Sequence, residues 1–240
     1  MDQFKNDLFE IVTERQNQGF RHGHRIKMLS LSPSSLNLFL ECPRCFWLYL
    51  NKEIKRPGAP VATITTGLDK VIKDYLNVYR AKGILPSFFE GKISGKLMTD
   101  FPKRGWLEFI DAKLDVRLGG YLDECIKLDD KYYAVLDHKT RGSVPESVHK
   151  AYQLQMDAYT FLLEANKFPT RKVAYLAYYI PSKIISGSDF QFEVLIKEIA
   201  ADPERALEVF HKAIEALRSP IPEAAKDCGF CKWVSTINIK

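Results

Sequence analysis

Three ionisable residues stand side by side at the end of an apolar stretch, in the run YYAVLDHKTRG at residues 132–142. Side chains of a strand alternate between its two faces, so Asp137 and Lys139 are predicted on one face and His138 on the other. An acid and an amine that share a face at the tip of a buried strand can bind a cation and act on a water molecule. The pattern therefore indicates a small chemical site.

A second carboxylate is predicted to lie opposite the first. The segment GYLDE (120–124) comes before the strand, and LDDK (128–131) has the composition of a hairpin turn. A turn centred near residue 130 would place Asp123 almost opposite Asp137. Two carboxylates this close repel each other unless a cation lies between them, and a few hard oxygen ligands suit Mg²⁺ or Mn²⁺. With the lysine beside the ion, such a site can hydrolyse a phosphodiester.

Four of the five cysteines form two Cys-x2-Cys pairs, which are Cys42 with Cys45 and Cys228 with Cys231. This spacing is typical of metal ligands in a chain that keeps its thiols reduced. Four thiolates could close a [4Fe–4S] cluster or a tetrahedral Zn²⁺ site, and four reduced buried cysteines are the remaining alternative. The fifth cysteine, Cys125, is predicted to fill the core.

The elements that must position these residues alternate between helices and strands. Ser32 before Pro33 predicts the start of one apolar helix that continues to residue 50. A helix that ends at Gly83 is predicted next, followed by short strands between residues 106 and 140 and a helix at 147–168. Strands at 171–180 and 191–199, a helix from Asp202 and an extended tail at 219–240 complete the chain. This order predicts an α/β fold, a mixed central β-sheet flanked by α-helices.

Length and composition indicate one globular domain. The 240 residues are 46% hydrophobic and 27% charged, which is enough for one sizeable core. Residues 1–30 are predicted to form an N-terminal helical extension, and residues 31–240 the single domain. No apolar run reaches the ~20 residues of a membrane-spanning helix, and the N-terminus is unlike a signal peptide, so a cytoplasmic protein without a membrane partner is expected. The net charge of +5 permits a polyanionic partner.

Three segments in order, GYLDECI, YAVLDHKTRG and YQLQMDAY, resemble the PD-(D/E)xK nuclease superfamily, in particular its RecB-like and Cas4-like branch. The resemblance implies a restriction-endonuclease-like fold. It also implies site residues, which are Asp123 and Asp137 as metal ligands, the backbone carbonyl of His138 as a third ligand, Lys139 as the catalytic lysine, and Gln155 and Tyr159 facing the site. The last two residues are spaced i and i+4, which places them on one face of a helix.

The cysteines and the first helix extend the resemblance over residues 30–231. In that branch an N-terminal cysteine and a C-terminal cysteine group bind an iron–sulfur cluster, so the resemblance favours [4Fe–4S] over zinc. This sequence departs from the branch in having two cysteines at each end instead of one and three. It also lacks the metal-binding histidine that follows a glycine on the helix before the sheet. Val71 stands at that place after Gly67, although Asp69 or Lys73 could serve a related role.

The residues and the resemblance together predict a Mg²⁺- or Mn²⁺-dependent deoxyribonuclease. An exonuclease or end-processing enzyme is expected, acting on single-stranded DNA or duplex ends, with protein partners from a repair, phage or CRISPR pathway. The first alternative is a catalytically impaired nucleic-acid-binding or assembly module with the same fold, which the missing histidine permits. The second is a zinc-stabilised interaction protein.

Overall fold

The computed structural model of the chain describes residues 28–58, 63–99, 105–129 and 131–236. The predicted helical extension therefore lies, for residues 1–27, outside the described residues. The strands are β1 (Leu29–Leu31), β2 (Gly95–Leu97), β3 (Trp106–Asp111), β4 (Val116–Tyr121), β5 (Glu124–Leu128), β6 (Tyr133–Thr140), β7 (Thr170–Ser186) and β8 (Asp189–Ala200). The helices are α1 (Pro33–Glu41), α2 (Pro43–Lys52), α3 (Thr63–Lys82), α4 (Lys150–Ala165), α5 (Pro203–Arg218) and α6 (Gly229–Thr236), with a 3₁₀ turn at Ser87–Phe89.

The described strands form two mixed sheets, ordered β1-β4-β3 and β2-β5-β6-β7-β8. Strand β1 runs parallel to β4 and β6 runs parallel to β7, while the other neighbours are antiparallel. The predicted mixed α/β fold is confirmed, but its strands divide between two sheets instead of one. The chain changes sheet at Leu122 and Asp123, between the end of β4 and the start of β5. Asp123 therefore lies where the two sheets separate.

Strand β6 has a hydrophobic core on each of its faces. Val135 packs with Leu162 of α4 in one core. The next residue, Leu136, packs with Leu76 of α3 in the other. The alternation is the strand period of two, and burial on both faces fixes the register of β6 in the middle of the sheet.

Two predicted local structures are wrong for identifiable reasons. The predicted single helix up to residue 50 is two helices, because Cys42 is extended (φ −160°, ψ 104°) between them. Pro43 follows Cys42, and a residue before proline is disfavoured in helical conformation. The tail predicted as extended contains α6. No helix in the described ranges is long and apolar enough to cross a membrane.

A buried carboxylate joins α4 to α5. Asp157 is fully buried, and its Oδ1 accepts hydrogen bonds from the backbone N–H of Asp202 at 2.9 Å and from Gln153 Nε2 at 3.0 Å. Its Oδ2 accepts from Arg205 Nε at 2.8 Å and also from Arg205 Nη2. Asp202 caps α5, as predicted, by accepting from the backbone N–H of Arg205. The network fixes α5 against the helix that carries Gln155.

Asp157→Ala is expected to lower the free energy of unfolding by about 2 kcal/mol, because it removes the buried charged acceptor of the hydrogen bonds that join α4 to α5. Urea unfolding measures the change. The matched control is Lys212→Ala, which breaks a surface pair with Glu208 at 2.6 Å where both side chains are 62% exposed. That change should cost less than about 0.5 kcal/mol. Equal losses in the two variants would contradict the role assigned to Asp157.

Candidate active site and cysteine centre

The hairpin of β5 and β6 places the segment that begins after Asp123 beside the strand that carries Asp137. Glu124 pairs with Leu136, and Cys125 pairs with Val135. This is the register that a turn centred near residue 130 produces, so the hairpin prediction is confirmed. Asp123 comes one residue before this ladder begins, and its negative charge is close enough to Asp137 to raise the pKa of that carboxyl.

Asp137, Lys139 and Gln155 form a closed set of contacts. The carboxylate of Asp137 is 2% exposed, and its Oδ2 lies 2.6 Å from Lys139 Nζ. Gln155 Nε2 donates to Asp137 Oδ1 at 3.0 Å, while Gln155 Oε1 accepts from Lys139 Nζ at 3.0 Å. The ammonium also lies 4.6 Å from the centre of the Tyr152 ring, a cation–π contact that the sequence reasoning missed. Helix α4 thus orients both charged groups of the strand.

The electrostatics of Asp137 suit a bound cation. Burial raises the pKa of Asp137, the Lys139 ammonium opposes this rise, and the negative charge of Asp123 adds to it. Asp137 Oδ2 is buried and accepts no well-directed hydrogen bond from any described residue, although the Lys139 ion pair lies beside it. A lone pair is therefore available to a metal ion. Two carboxylates and a backbone carbonyl form a hard-oxygen donor set that fits Mg²⁺ or Mn²⁺.

Lys73 lies on the side of the site where the resemblance implies a histidine. Its Nζ lies 3.0 Å from Asp123 Oδ1 and 3.0 Å from Asp69 Oδ2. Val71, at the place of the histidine, is 62% exposed. Helix α3 is fixed in this position by Arg80, whose Nη2 donates to both carboxylate oxygens of Glu124 at 2.6 and 2.7 Å. The ion pair between Lys73 and Asp123 was not predicted, because nothing in the sequence relates the two residues.

The side chain of His138 lies on the opposite face of β6, as the alternation predicts. Its ring centre is 5.6 Å from that of Tyr179, and burial lowers the pKa of His138 to about 4, so the imidazole is neutral. Neither ring nitrogen has a hydrogen-bond partner among the described residues. The resemblance assigns the role of metal ligand to the backbone carbonyl of His138.

Tyr159 supports the site instead of contacting its charged groups. Its hydroxyl donates to the backbone carbonyl of Tyr121 at 2.7 Å, and burial raises the pKa of Tyr159 to about 12, which keeps this donor protonated. A Cβ atom on Gly120 would lie 3.1 Å from Tyr159 Oη and 3.2 Å from Pro33 Cδ. The glycine therefore allows Tyr159 to hold the end of β4, two residues before Asp123.

A cleft of about 440 Å³ opens beside Gln155 and Tyr159. Its other lining residues are Ser30, Leu31, Ser32, Pro33, Ser34, Asn37, Trp106, Gly119, Gly120 and Tyr121. Tyr121 is 65% exposed, and its ring centre lies 4.9 Å from that of Trp106. The half-buried Trp106 supports this exposed ring, and an exposed aromatic ring beside a cleft can stack on a base.

The two cysteine pairs meet, as predicted, in one cluster that we call the four-cysteine centre (Cys42, Cys45, Cys228 and Cys231). All four Sγ atoms lie within 4.8 Å of one another. Cys45 Sγ is 3.5 Å from Cys231 Sγ and 3.6 Å from Cys228 Sγ, and Cys42 Sγ is 3.9 Å from Cys231 Sγ. Cys125 stands apart and is fully buried in the core, also as predicted.

Four thiols at these distances cannot all ionise without a cation between them. Burial raises the pKa of Cys42, but hydrogen bonds from the backbone N–H groups of Ala225 and Cys45 outweigh it and lower this pKa to about 6. Burial raises the pKa of Cys45 and of Cys231. A metal ion removes this repulsion, so the donor set fits a bound metal.

The sequence was compared with protein families, curated proteins and solved structures. A model of the PD-(D/E)XK nuclease superfamily matches residues 78–236, which is more than half of the chain and includes the β5–β6 hairpin and α4. Seventeen chains of known structure match, among them the crystal structure of SSO0001. Its sequence is 15% identical to this one, the match covers 99% of this chain and 95% of that chain, and the TM-score is 0.46. No curated protein matches the sequence. The chain belongs to the PD-(D/E)XK nuclease superfamily.

Proposed function

We propose that the protein is a Mg²⁺- or Mn²⁺-dependent deoxyribonuclease of the RecB-like and Cas4-like branch, acting on single-stranded DNA or duplex ends. The observation that carries the proposal is the closed set of contacts among Asp137, Lys139 and Gln155, with the charge of Asp123 nearby, just before β5. Membership in a nuclease superfamily supports it. The proposed setting is the cytoplasm, in a repair, phage or CRISPR pathway with protein partners.

Each residue of the site has a distinct role in this proposal. A divalent ion bound by Asp123, Asp137 and the backbone carbonyl of His138 would polarise the phosphodiester and acidify a water molecule. Lys139 supplies positive charge beside the reacting phosphate and orients the attacking water. Gln155 holds both the carboxylate and the ammonium, so their positions are set before substrate binds.

The assay that tests this function uses labelled single- and double-stranded DNAs, each linear and circular, with Mg²⁺ or Mn²⁺. Cleavage that needs a divalent ion and is confined to linear substrates is expected. Cleavage of circular DNA at the same rate would replace the exonuclease assignment with an endonuclease. If neither ion supports cleavage of any substrate, the nuclease proposal fails.

A DNA strand is proposed to lie in the cleft beside the site, with one base stacked on Tyr121. The exposed ring and its neighbour Trp106 offer the stacking surface, and serine hydroxyls and Asn37 line the remainder. Because the cleft includes Gln155, a strand in it would pass next to Asp137.

Tyr121→Ala is expected to weaken single-stranded DNA binding about tenfold, since stacking of one base contributes about 1–3 kcal/mol. Fluorescence anisotropy of a labelled oligonucleotide measures this, in an inactive Asp137→Asn background and at fixed salt. The control is Phe190→Ala, which removes a 63% exposed aromatic ring at the far β7–β8 turn and should leave the affinity unchanged. Equal affinities in both variants would show that the strand does not stack on Tyr121.

The second candidate is a catalytically impaired module that binds nucleic acid. The observation that favours it is the ion pair between Lys73 and Asp123, because an ammonium neutralises a carboxylate that would otherwise bind the metal. Under this candidate DNA binds with strong salt dependence and is not cleaved.

Lys73→Met is expected to raise the affinity for Mn²⁺ or Mg²⁺ about fivefold. In the unchanged chain the metal ion must displace the Lys73 ammonium from Asp123, and that ion pair contributes about 1 kcal/mol. Isothermal titration calorimetry measures the affinity without reference to activity. Lys70→Met, on the exposed side of the same helix, is the control and should not change it. A weaker affinity in Lys73→Met would mean that the lysine helps to hold the ligands in place.

A further inference from the structure

The spacing of the sulfur atoms in the four-cysteine centre distinguishes between the two metal centres that four thiolates can form. Three of the six separations are 3.5, 3.6 and 3.9 Å and none exceeds 4.8 Å, so the sulfur atoms form a small tetrahedron. Such a tetrahedron has room for one ion at its centre.

The size of that space matches zinc. The centre of a regular tetrahedron lies at about 0.61 of its edge length from each corner, so edges of 3.5–3.9 Å give about 2.1–2.4 Å, compared with about 2.3 Å for a Zn–S bond. We infer that the four-cysteine centre binds a single Zn²⁺ ion instead of the [4Fe–4S] cluster implied by the resemblance.

An iron–sulfur cluster would require a wider arrangement. In a [4Fe–4S] cluster each thiolate binds a different iron, so the thiolates surround four irons and four sulfides and must stand farther apart than around one ion. The four Sγ atoms all lie within 4.8 Å of one another, which leaves no room for such a core between them.

The surroundings of the centre offset the charge of four thiolates around a divalent ion. Arg56 Nη2 lies 3.6 Å from Cys228 Sγ, and the backbone N–H of Ala225 donates to Cys42 Sγ at 3.4 Å. Cys42 also caps the N-terminus of α2, where the helix dipole favours negative charge. Groups that donate to ligating sulfurs are a usual second layer of structural metal sites.

Metal analysis of the native chain tests the inference independently of any nuclease activity. The protein is purified under anaerobic conditions from cells supplied with iron and zinc, and its zinc, iron and acid-labile sulfide are measured. About one zinc per chain, with neither iron nor sulfide, is expected. About four irons and four sulfides per chain would overturn the inference, as would a chain that contains no metal.

Competition and variants sharpen the test. The metal-free chain, given ferrous iron, sulfide and equimolar zinc without oxygen, is expected to stay colourless, and formation of a stable brown cluster would overturn the inference. Replacement of zinc by Co²⁺ should give the visible bands of tetrahedral cobalt thiolate. Cys231→Ser is expected to lose these bands, while Cys125→Ala, which changes a cysteine outside the centre, should keep them. Identical spectra for the two variants would contradict the proposed ligand set.

Discussion

Asp137→Asn is expected to reduce metal-dependent DNA cleavage by about 10³-fold or more, the largest effect on activity of any single change in the site. The substitution keeps the shape of the side chain and its acceptor for Gln155, but removes the negative charge that would bind the divalent ion. Loss of about 4 kcal/mol of transition-state stabilisation corresponds to this factor. Initial rates on labelled linear DNA, at saturating Mg²⁺ or Mn²⁺, measure it.

The same variant is expected to keep or increase its free energy of unfolding. Burial raises the folded-state pKa of Asp137 above the unfolded value. A carboxyl group whose pKa rises on folding stabilises the folded chain at pH values below its unfolded pKa. This stabilisation is lost as the pH rises through the folded pKa. At neutral pH the ionised carboxylate therefore costs stability, and asparagine removes that cost. Lost activity together with lost stability would indicate a structural role instead.

Asp189→Asn is the matched control for the charge change. Asp189 lies at the exposed β7–β8 turn, so its replacement should leave both cleavage and stability unchanged. An equal loss of cleavage in Asp189→Asn would show that net charge, and not the geometry at Asp137, determines activity.

Removal of the metal from the four-cysteine centre is expected to produce the largest change in stability. Helix α6 has no buried residue of its own. Besides the thiols, α6 contacts Arg56 in the segment that follows α2, whose guanidinium lies 4.9 Å from the Phe230 ring centre. A metal that binds only the folded chain stabilises it by about 4 kcal/mol at a free concentration 1,000 times its Kd.

Hydrogen exchange with and without a strong chelator measures where this stability is lost. Exchange should accelerate first over residues 225–236 and around Cys42 and Cys45, while α4 and β6, which are held by the two hydrophobic cores, should stay protected. The Cys125→Ala variant should respond to the chelator as the unchanged chain does. Uniform acceleration over the whole chain would mean that the centre is part of the global folding unit, and no acceleration would mean that α6 is held by other contacts.

Local patterns in the sequence predicted the hairpin and the faces of β6. Alternation alone placed Asp137 and Lys139 on one face and His138 on the other, because each residue of a strand reverses the direction of the side chain. The turn composition near residue 130 set the register, which determines the position of Asp123. The i and i+4 spacing gave Gln155 and Tyr159 a common helix face, but not what each of them contacts.

Contacts between distant elements could not be read from the sequence. Lys73 reaches Asp123 only because Arg80 fixes α3 on β5, and these residues have no periodic relation along the chain. Tyr159 holds the carbonyl of Tyr121 because Gly120 leaves room for its ring. Such distances depend on how helices pack on sheets, which propensity and periodicity do not specify.

Residue types and their local spacing specify the chemistry available to this protein: two carboxylates and a lysine near the ends of two strands, and two cysteine pairs spaced as metal ligands. Tertiary packing determines how these groups are used. It divided the strands into two sheets that separate at Asp123, placed an ammonium on that carboxylate, and set the sulfur atoms at separations that suit one ion. The physical reason is that residue type and local spacing fix which atoms are offered and on which face, while distances of a few ångströms between elements result from packing the whole core.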